Sequence, residues 1–223
     1  MRQTSIAILL VGALTALTNC TNKTTLTTKD AASAKGPDLL NPASLNQTAP
    51  PMFRAKLATT KGDVIIQVTR DWAPRGADRF YNLVQAGFYT DCYFHRTIAG
   101  FMTQFGISAR PEVTRAWTDA NLPDDPVRQS NTRGRVTFAT AGPNTRTTQL
   151  FINYGNNSRL DATGFAPFGE VVQGMDVVDN LYSGYGGAPA DQFQLIEEQG
   201  KPFLEKNFPM LDRILTATIV PAP

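Results

Sequence analysis

Apolar residues fall into three regimes along this chain. Residues 6–17 form a largely unbroken apolar stretch behind Arg2. Residues 21–51 are rich in Thr, Ala, Asn and Pro and show no apolar periodicity. From Phe53 onward, short apolar runs recur between Gly, Pro and Asn. The run FRAKLATTKGDVIIQVT holds two β-prone segments around Lys61-Gly62-Asp63, which predicts a hairpin. Pro74 then suits the first turn of a helix. Ala77, Phe80, Leu83 and Val84 follow at three-to-four spacing until Gly87 stops it, giving an amphipathic helix that covers an open end of a sheet. Further strands are expected over 92–96, 102–105, 136–139, 150–153, 168–172 and 214–220. A second helix is expected over 175–182, with Met175, Val178 and Leu181 on one face. Many short strands and two helices argue for a closed antiparallel barrel rather than a βαβ fold.

The segment 184–212 is longer than a barrel turn needs and carries Phe193, Ile196, Phe203, Leu204 and Phe208, with Gly200 and Pro202 breaking any helix in its middle. It reads as an ordered surface excursion that packs on the barrel, with shaping of substrate choice as the alternative role.

The first stretch is too short to span a bilayer and suits the apolar region of an export signal. It ends in LTNC, which resembles a lipoprotein box with cleavage before an acylated Cys20; Asn19 departs from the usual Gly, Ala or Ser. The expected organisation is a signal peptide over 1–19, a lipidated Cys20 leading a flexible tether over 20–51, and a globular domain over 52–223. The alternative for Cys20 is an incidental thiol behind an ordinary cleaved signal. The chain would then be exported, in the periplasm or cell envelope, and held at a membrane by its lipid. Cys92 is the only other cysteine, so it is expected to be a buried, unreactive residue on a strand.

At 223 residues, 42% hydrophobic and 18% charged, the composition is that of a soluble globular protein. There are 21 Lys plus Arg against 19 Asp plus Glu, and loss of the first 19 residues removes only Arg2. The mature chain is nearly neutral, and no Lys/Arg-rich run offers a phosphate-binding surface for nucleic acid. His95 is the only histidine, which rules out a multi-histidine metal cluster and argues against a hydrolytic triad.

The candidate chemistry lies in FHRTIAGFMTQFG over 94–106 and FATAGPNTRTTQLFINYG over 138–155. The first places one arginine, Arg96, near Phe101, Met102 and Gln104. That set suits a reaction needing no acid, base or nucleophile. Period-two geometry puts Met102 and Gln104 on one strand face, and likewise Gln149 and Phe151.

These two stretches resemble the cyclophilin family of peptidyl-prolyl cis-trans isomerases, and RLDATGFAPFGEVVQGMDVVD reads like the bacterial form of the family's later segment. The resemblance implies eight strands in a closed barrel capped by two helices, and an enzyme that turns Xaa-Pro bonds in unfolded or extended polypeptides with no cofactor. It implies that Arg96 donates to the prolyl nitrogen and that Phe101, Met102, Phe151 and Leu160 form the proline pocket. Gln104 would bond the substrate backbone, and Gln149 would hold Arg96 or the peptide. Ala139 would allow close approach, and Thr140 would offer its backbone where the family usually has Asn. Phe165 stands where many members have His, Phe105 replaces the first glycine of QGG, and Arg159, where many carry Trp, argues against cyclosporin binding. His95 is read as a buried, hydrogen-bonded strand residue, because bond rotation moves no proton. Two other readings remain open: a non-catalytic module or holdase that grips proline-containing segments, and a structural envelope lipoprotein.

Overall fold

The computed structural model of the protein describes residues 38–221. The expected signal peptide, Cys20 and the spacer up to residue 37 lie outside the described residues.

Strands β1 (Met52–Thr59) and β2 (Gly62–Thr69) alternate buried and outward positions along their length, which is what an antiparallel pair with one face on a core requires. Ala58 pairs with Asp63 and Thr59 with Gly62, so the turn is Thr60-Lys61, just ahead of the expected position. Gly62 takes φ 134°, and the Thr59 hydroxyl donates to its carbonyl at 2.7 Å. Helix α1 (Pro74–Gln85) follows with proline in its first turn and buries Ala77, Phe80, Leu83 and Val84. Its end is fastened twice: Gly87, at φ 71°, donates to Val84 O and Phe88 donates to Leu83 O, so a left-handed residue satisfies the last carbonyls.

The remaining strands are β3 (Arg96–Ile98), β4 (Met102–Phe105), β5 (Arg135–Phe138), β6 (Leu150–Asn153), β7 (Pro167–Gln173) and β8 (Ile214–Val220). They form one eight-stranded sheet in the order β3-β4-β6-β5-β7-β2-β1-β8. All pairings are antiparallel. The main core lies inside its curve, where Leu57, Ile66, Phe80, Phe105, Phe138, Phe168 and Ile214 are all essentially buried. Burial of this apolar surface is the dominant stabilising contribution.

The expected closed barrel is corrected to an open half-barrel. β3 and β8 are edges that do not pair with each other; a single antiparallel bridge, Tyr93 with Arg213, lies beside them. The cause is local. The strand expected over 92–96 starts only at Arg96 and runs three residues, and the N–H of Thr97 is taken by the Gly186 carbonyl at 3.2 Å. A loop, not β8, satisfies that edge.

The expectation of two helices is also corrected. Beside α1 stand α2 (Pro111–Trp117), α3 (Met175–Asp179), α4 (Phe193–Gln199) and α5 (Lys201–Asn207). α3 is the expected second helix, cut short. α4 and α5 turn the 184–212 excursion into a helical pair broken at Gly200, which has φ 63°; a Cβ there would lie 2.5 Å from the Ala109 carbonyl. The pair has its own small core of Ile196, Phe203, Leu204, Phe208 and Leu211 on Tyr93 and Ile107.

The stretch 38–51 also departs from expectation, since it lies along the domain rather than free of it. Leu39 and Ala49 are buried, and the Trp117 indole donates to the Leu39 carbonyl at 2.8 Å. Asn82 of α1 exchanges two bonds with the Gln47 backbone, and Asp78 accepts from Ala49 N–H at 2.8 Å. Polar side chains of α1 thus supply backbone partners to a segment whose only regular element is a single 3-10 turn over Pro42–Ser44.

Candidate active site

The site is built on the outer face of β3, β4 and β6. Arg96 is paired with Gln104, and Gln104 with Phe151, so these side chains stand in one row across three strands. Met102 lies two residues from Gln104 on that same face, while Thr103 and Phe105 point inward. Phe105 is fully buried and packs edge-on against Tyr89 and Phe94. The sequence departure at this position is therefore a core residue. The next position tolerates only glycine: Gly106 has φ 108°, and a Cβ would fall 2.5 Å from the Thr148 carbonyl.

These residues open on a cavity of about 290 Å³ lined by Arg96, Phe101, Met102, Gln104, Ala139, Thr140, Phe151, Leu160 and Phe165, together with Ala190 and Phe193. Gln149, the remaining candidate, lines an adjoining cavity of about 230 Å³ that shares Gln104, Ala139, Thr140 and Phe193 with the first. Gln104 links the two, because it accepts from Arg96 Nη1 at 3.4 Å and donates to Gln149 Oε1 at 2.9 Å. The Arg96 guanidinium has no carboxylate within 4.0 Å among the described residues. Its charge is aimed by an amide rather than neutralised by an ion pair.

The apolar wall is held from outside the strands. Phe165 meets Phe151 edge-on at 5.7 Å between centroids, and the Arg159 guanidinium lies 4.9 Å above the Phe101 ring. Behind them runs a buried amide network. Asn157 donates to Phe101 O and to Asn153 Oδ1, each at 2.8 Å. Asn131 donates to Phe165 O and Asp161 Oδ1, each at 2.8 Å, and accepts from Thr137. These bonds fix the backbones that carry the aromatic rings, so the cavity is shaped before any ligand enters. The hydrogen bonds from Ser130 and Asn131 hold the Asp161 carboxyl below its usual range against the opposing effect of its partial burial.

The rim over 140–148 is tied in the same way. The Thr140 hydroxyl bonds to Gly142 O and to the Thr145 hydroxyl, so its side chain serves the loop. Ala139 N–H donates to Gln149 O at 2.9 Å. Arg146 is buried against Asp124, Asp125 and the Pro123 carbonyl, and Asp125 also accepts from the first N–H groups of α1 at Arg75 and Gly76.

His95 is buried as expected but not hydrogen-bonded. Neither ring nitrogen has a partner, and burial lowers its pKa to about 4; the Tyr93 backbone opposes that shift without reaching bonding geometry. Its ring meets Phe193 edge-on at 5.3 Å. Cys92 is buried and not on a strand; its thiol donates to Ile107 O at 3.1 Å, and burial raises its pKa well above the ordinary value.

Sequence reasoning missed Ala190, Phe193 and the asparagine network. The aromatic residues of the excursion were visible in the sequence, but nothing local says that Phe193 turns toward Arg96. The asparagines lie in loops and strand ends, where their usual reading is turn chemistry.

The comparisons agree with this geometry. Residues 54–198 match the family model for cyclophilin type peptidyl-prolyl cis-trans isomerase/CLD. Peptidyl-prolyl cis-trans isomerase B of Escherichia coli is 36% identical over 132 residues, covering 55% of this chain and 80% of that protein. A peptidyl-prolyl cis-trans isomerase of Acinetobacter baylyi is 35% identical over 132 residues, with coverages of 56% and 70%. The crystal structure of a Cryptosporidium parvum cyclophilin type peptidyl-prolyl cis-trans isomerase aligns with TM-score 0.56 at 22% identity, over 77% of this chain and 99% of that one. A second structure of that protein, in the presence of the dipeptide Ala-Pro, aligns with TM-score 0.55 at 21% identity, covering 76% and 99%. At such identities the solved structures establish the fold, and the family match establishes the rest: the chain belongs to the cyclophilin-type peptidyl-prolyl cis-trans isomerases.

Proposed function

We propose that this protein accelerates cis-trans rotation of Xaa-Pro bonds in unfolded or extended polypeptides outside the cytoplasm, with Arg96 as the catalytic group. The observation that carries the chemistry is a guanidinium with no carboxylate partner among the described residues, oriented by Gln104 at the wall of a cavity lined by Phe101, Met102, Phe151, Leu160 and Phe165.

Amide resonance sets a barrier of about 18–20 kcal/mol to this rotation, and uncatalysed exchange takes on the order of tens to hundreds of seconds. Reaching milliseconds needs about 10⁵-fold acceleration, or about 7 kcal/mol. Twisting the bond frees the lone pair of the prolyl nitrogen, so a hydrogen bond donated by Arg96 to that nitrogen is stronger at the twisted geometry than in either planar isomer. The apolar wall holds the proline ring while the preceding carbonyl swings, and by excluding water it strengthens the arginine contact. Gln104 and Gln149 keep the guanidinium in place and offer amide groups to the peptide backbone. The two joined cavities suit an extended peptide rather than an isolated proline. The Ala-Pro dipeptide used with the Cryptosporidium parvum relative supports a ligand of this class.

The extracytoplasmic setting and a lipid on Cys20 rest on the N-terminal sequence alone, an apolar run over 6–17 ending in LTNC. The chemistry is tested by the rate on a short Xaa-Pro peptide: Arg96→Ala is expected to lower kcat/KM by about 10²–10³-fold. A variant as fast as the parent overturns the mechanism.

A further inference from the structure

We propose that Phe193, presented by the helical excursion, is a specificity-determining residue that favours an apolar side chain on a substrate residue next to or near the proline. This rests on the isomerase reading above and adds to it the substrate preference of the groove.

Phe193 lines both cavities and so forms part of the partition between them. Once the proline ring occupies the first, a neighbouring residue of an extended peptide meets the second. The walls of that second cavity are otherwise short or polar: Gln104, Ala139, Thr140, Thr147 and Gln149 among them. The Thr140 hydroxyl is engaged within its own loop, which leaves it little capacity to recognise a polar substrate group. The ring of Phe193 is the one large apolar surface there, and an aliphatic or aromatic side chain gains contact on it that alanine or glycine does not.

The ring is packed on its inner side. Its position at the first turn of α4 is fixed by the edge-on contact with buried His95, immediately before the catalytic arginine. The helix pair behind it is pinned by its own apolar cluster, by Lys201 N–H on Ala109 O at 3.2 Å, and by Asp91 between Lys201 at 3.2 Å and Arg213 at 3.1 Å. A specificity contact is effective when its support is this rigid. The excursion is therefore part of the substrate site as well as a packed appendage, which joins both roles weighed from sequence.

The test measures kcat/KM of the full-length chain in detergent on two peptide series about one Ala-Pro core. One varies the two residues before the proline among Gly, Ala, Leu, Phe and Glu; the other varies the two after it. The parent is expected to prefer Leu or Phe over Ala by about five- to tenfold at one position. In Phe193→Ala that ratio falls to near one at the same position, and Phe193→Leu retains part of it. Thermal melts check that the variants are folded; should Phe193→Ala not fold, the decision passes to Phe193→Leu, where an unreduced ratio overturns the proposal. A ratio unchanged in Phe193→Ala, or a parent with no apolar preference at any position, overturns it too while the isomerase reading stands. A parent inactive on every peptide fails the isomerase reading itself, and this inference with it.

Discussion

At the scale of single residues, His95 and Arg96 stand side by side and do opposite things with charge. Arg96 stays cationic beside an amide and faces the cavity, whereas His95 is pressed between the strand and Phe193 with neither nitrogen satisfied. The folded state therefore keeps the imidazole neutral down to about pH 4, while an unfolded chain takes up the proton below its ordinary value of 6.5. More protons bound in the unfolded state means that stability is complete above about pH 6.5 and is lost as pH falls toward 4, by on the order of 3 kcal/mol. With one histidine in the chain, no other imidazole contributes to that slope. Urea midpoints are expected to fall from pH 7.5 to pH 5 in the parent and to fall less in His95→Leu; Glu197, a carboxyl raised by partial burial, is present in both, so its opposite slope cancels in the comparison. Equal slopes in the two proteins contradict this assignment.

Among the elements, the stretch 38–51 shows how a segment with almost no regular structure becomes part of a domain. Its apolar anchors are few, Leu39 and Ala49, but its backbone finds Asn82, Asp78 and Trp117 waiting. Leu39→Ala is expected to cost about 2–3 kcal/mol, since it removes a buried side chain that belongs to the main core. Removing residues 1–51 is expected to lower the denaturation midpoint clearly more than removing residues 1–37. Equal midpoints for the two truncations, measured by urea unfolding, contradict a structural role for this strap.

For the whole molecule, the two cysteines separate two questions. Cys92 lies buried, its thiol bonded to a carbonyl and its pKa raised, so it does not react under native conditions. Any native thiol reactivity then belongs to Cys20. If Cys20 carries lipid, protein purified from membranes takes up no thiol reagent until unfolded and partitions into the detergent phase, and Cys20→Ser stays aqueous. Parent protein in the aqueous phase with a reactive native thiol removes the anchor and leaves the isomerase chemistry untouched.

The sequence by itself determined what depends on neighbours along the chain. The β1–β2 hairpin, α1 between Pro74 and Gly87, the strands Met102–Phe105, Leu150–Asn153 and Ile214–Val220, and the break at Gly200 follow from side-chain period, proline's fixed φ and glycine's access to positive φ. The site candidates were legible because two long motifs place them at fixed spacings, and strand pairing then sets Arg96, Gln104 and Phe151 in one row. Only the tertiary structure decided whether the sheet closes, because that turns on which group takes the Thr97 N–H, and Gly186 comes from a distant loop. It also decided that Phe193 and Ala190 join the cavity, that the asparagines form one network behind it, and that the Trp117 indole bonds the Leu39 carbonyl. Each of these is a contact between segments far apart in the chain, and neither periodicity nor turn chemistry encodes which distant surface a side chain meets.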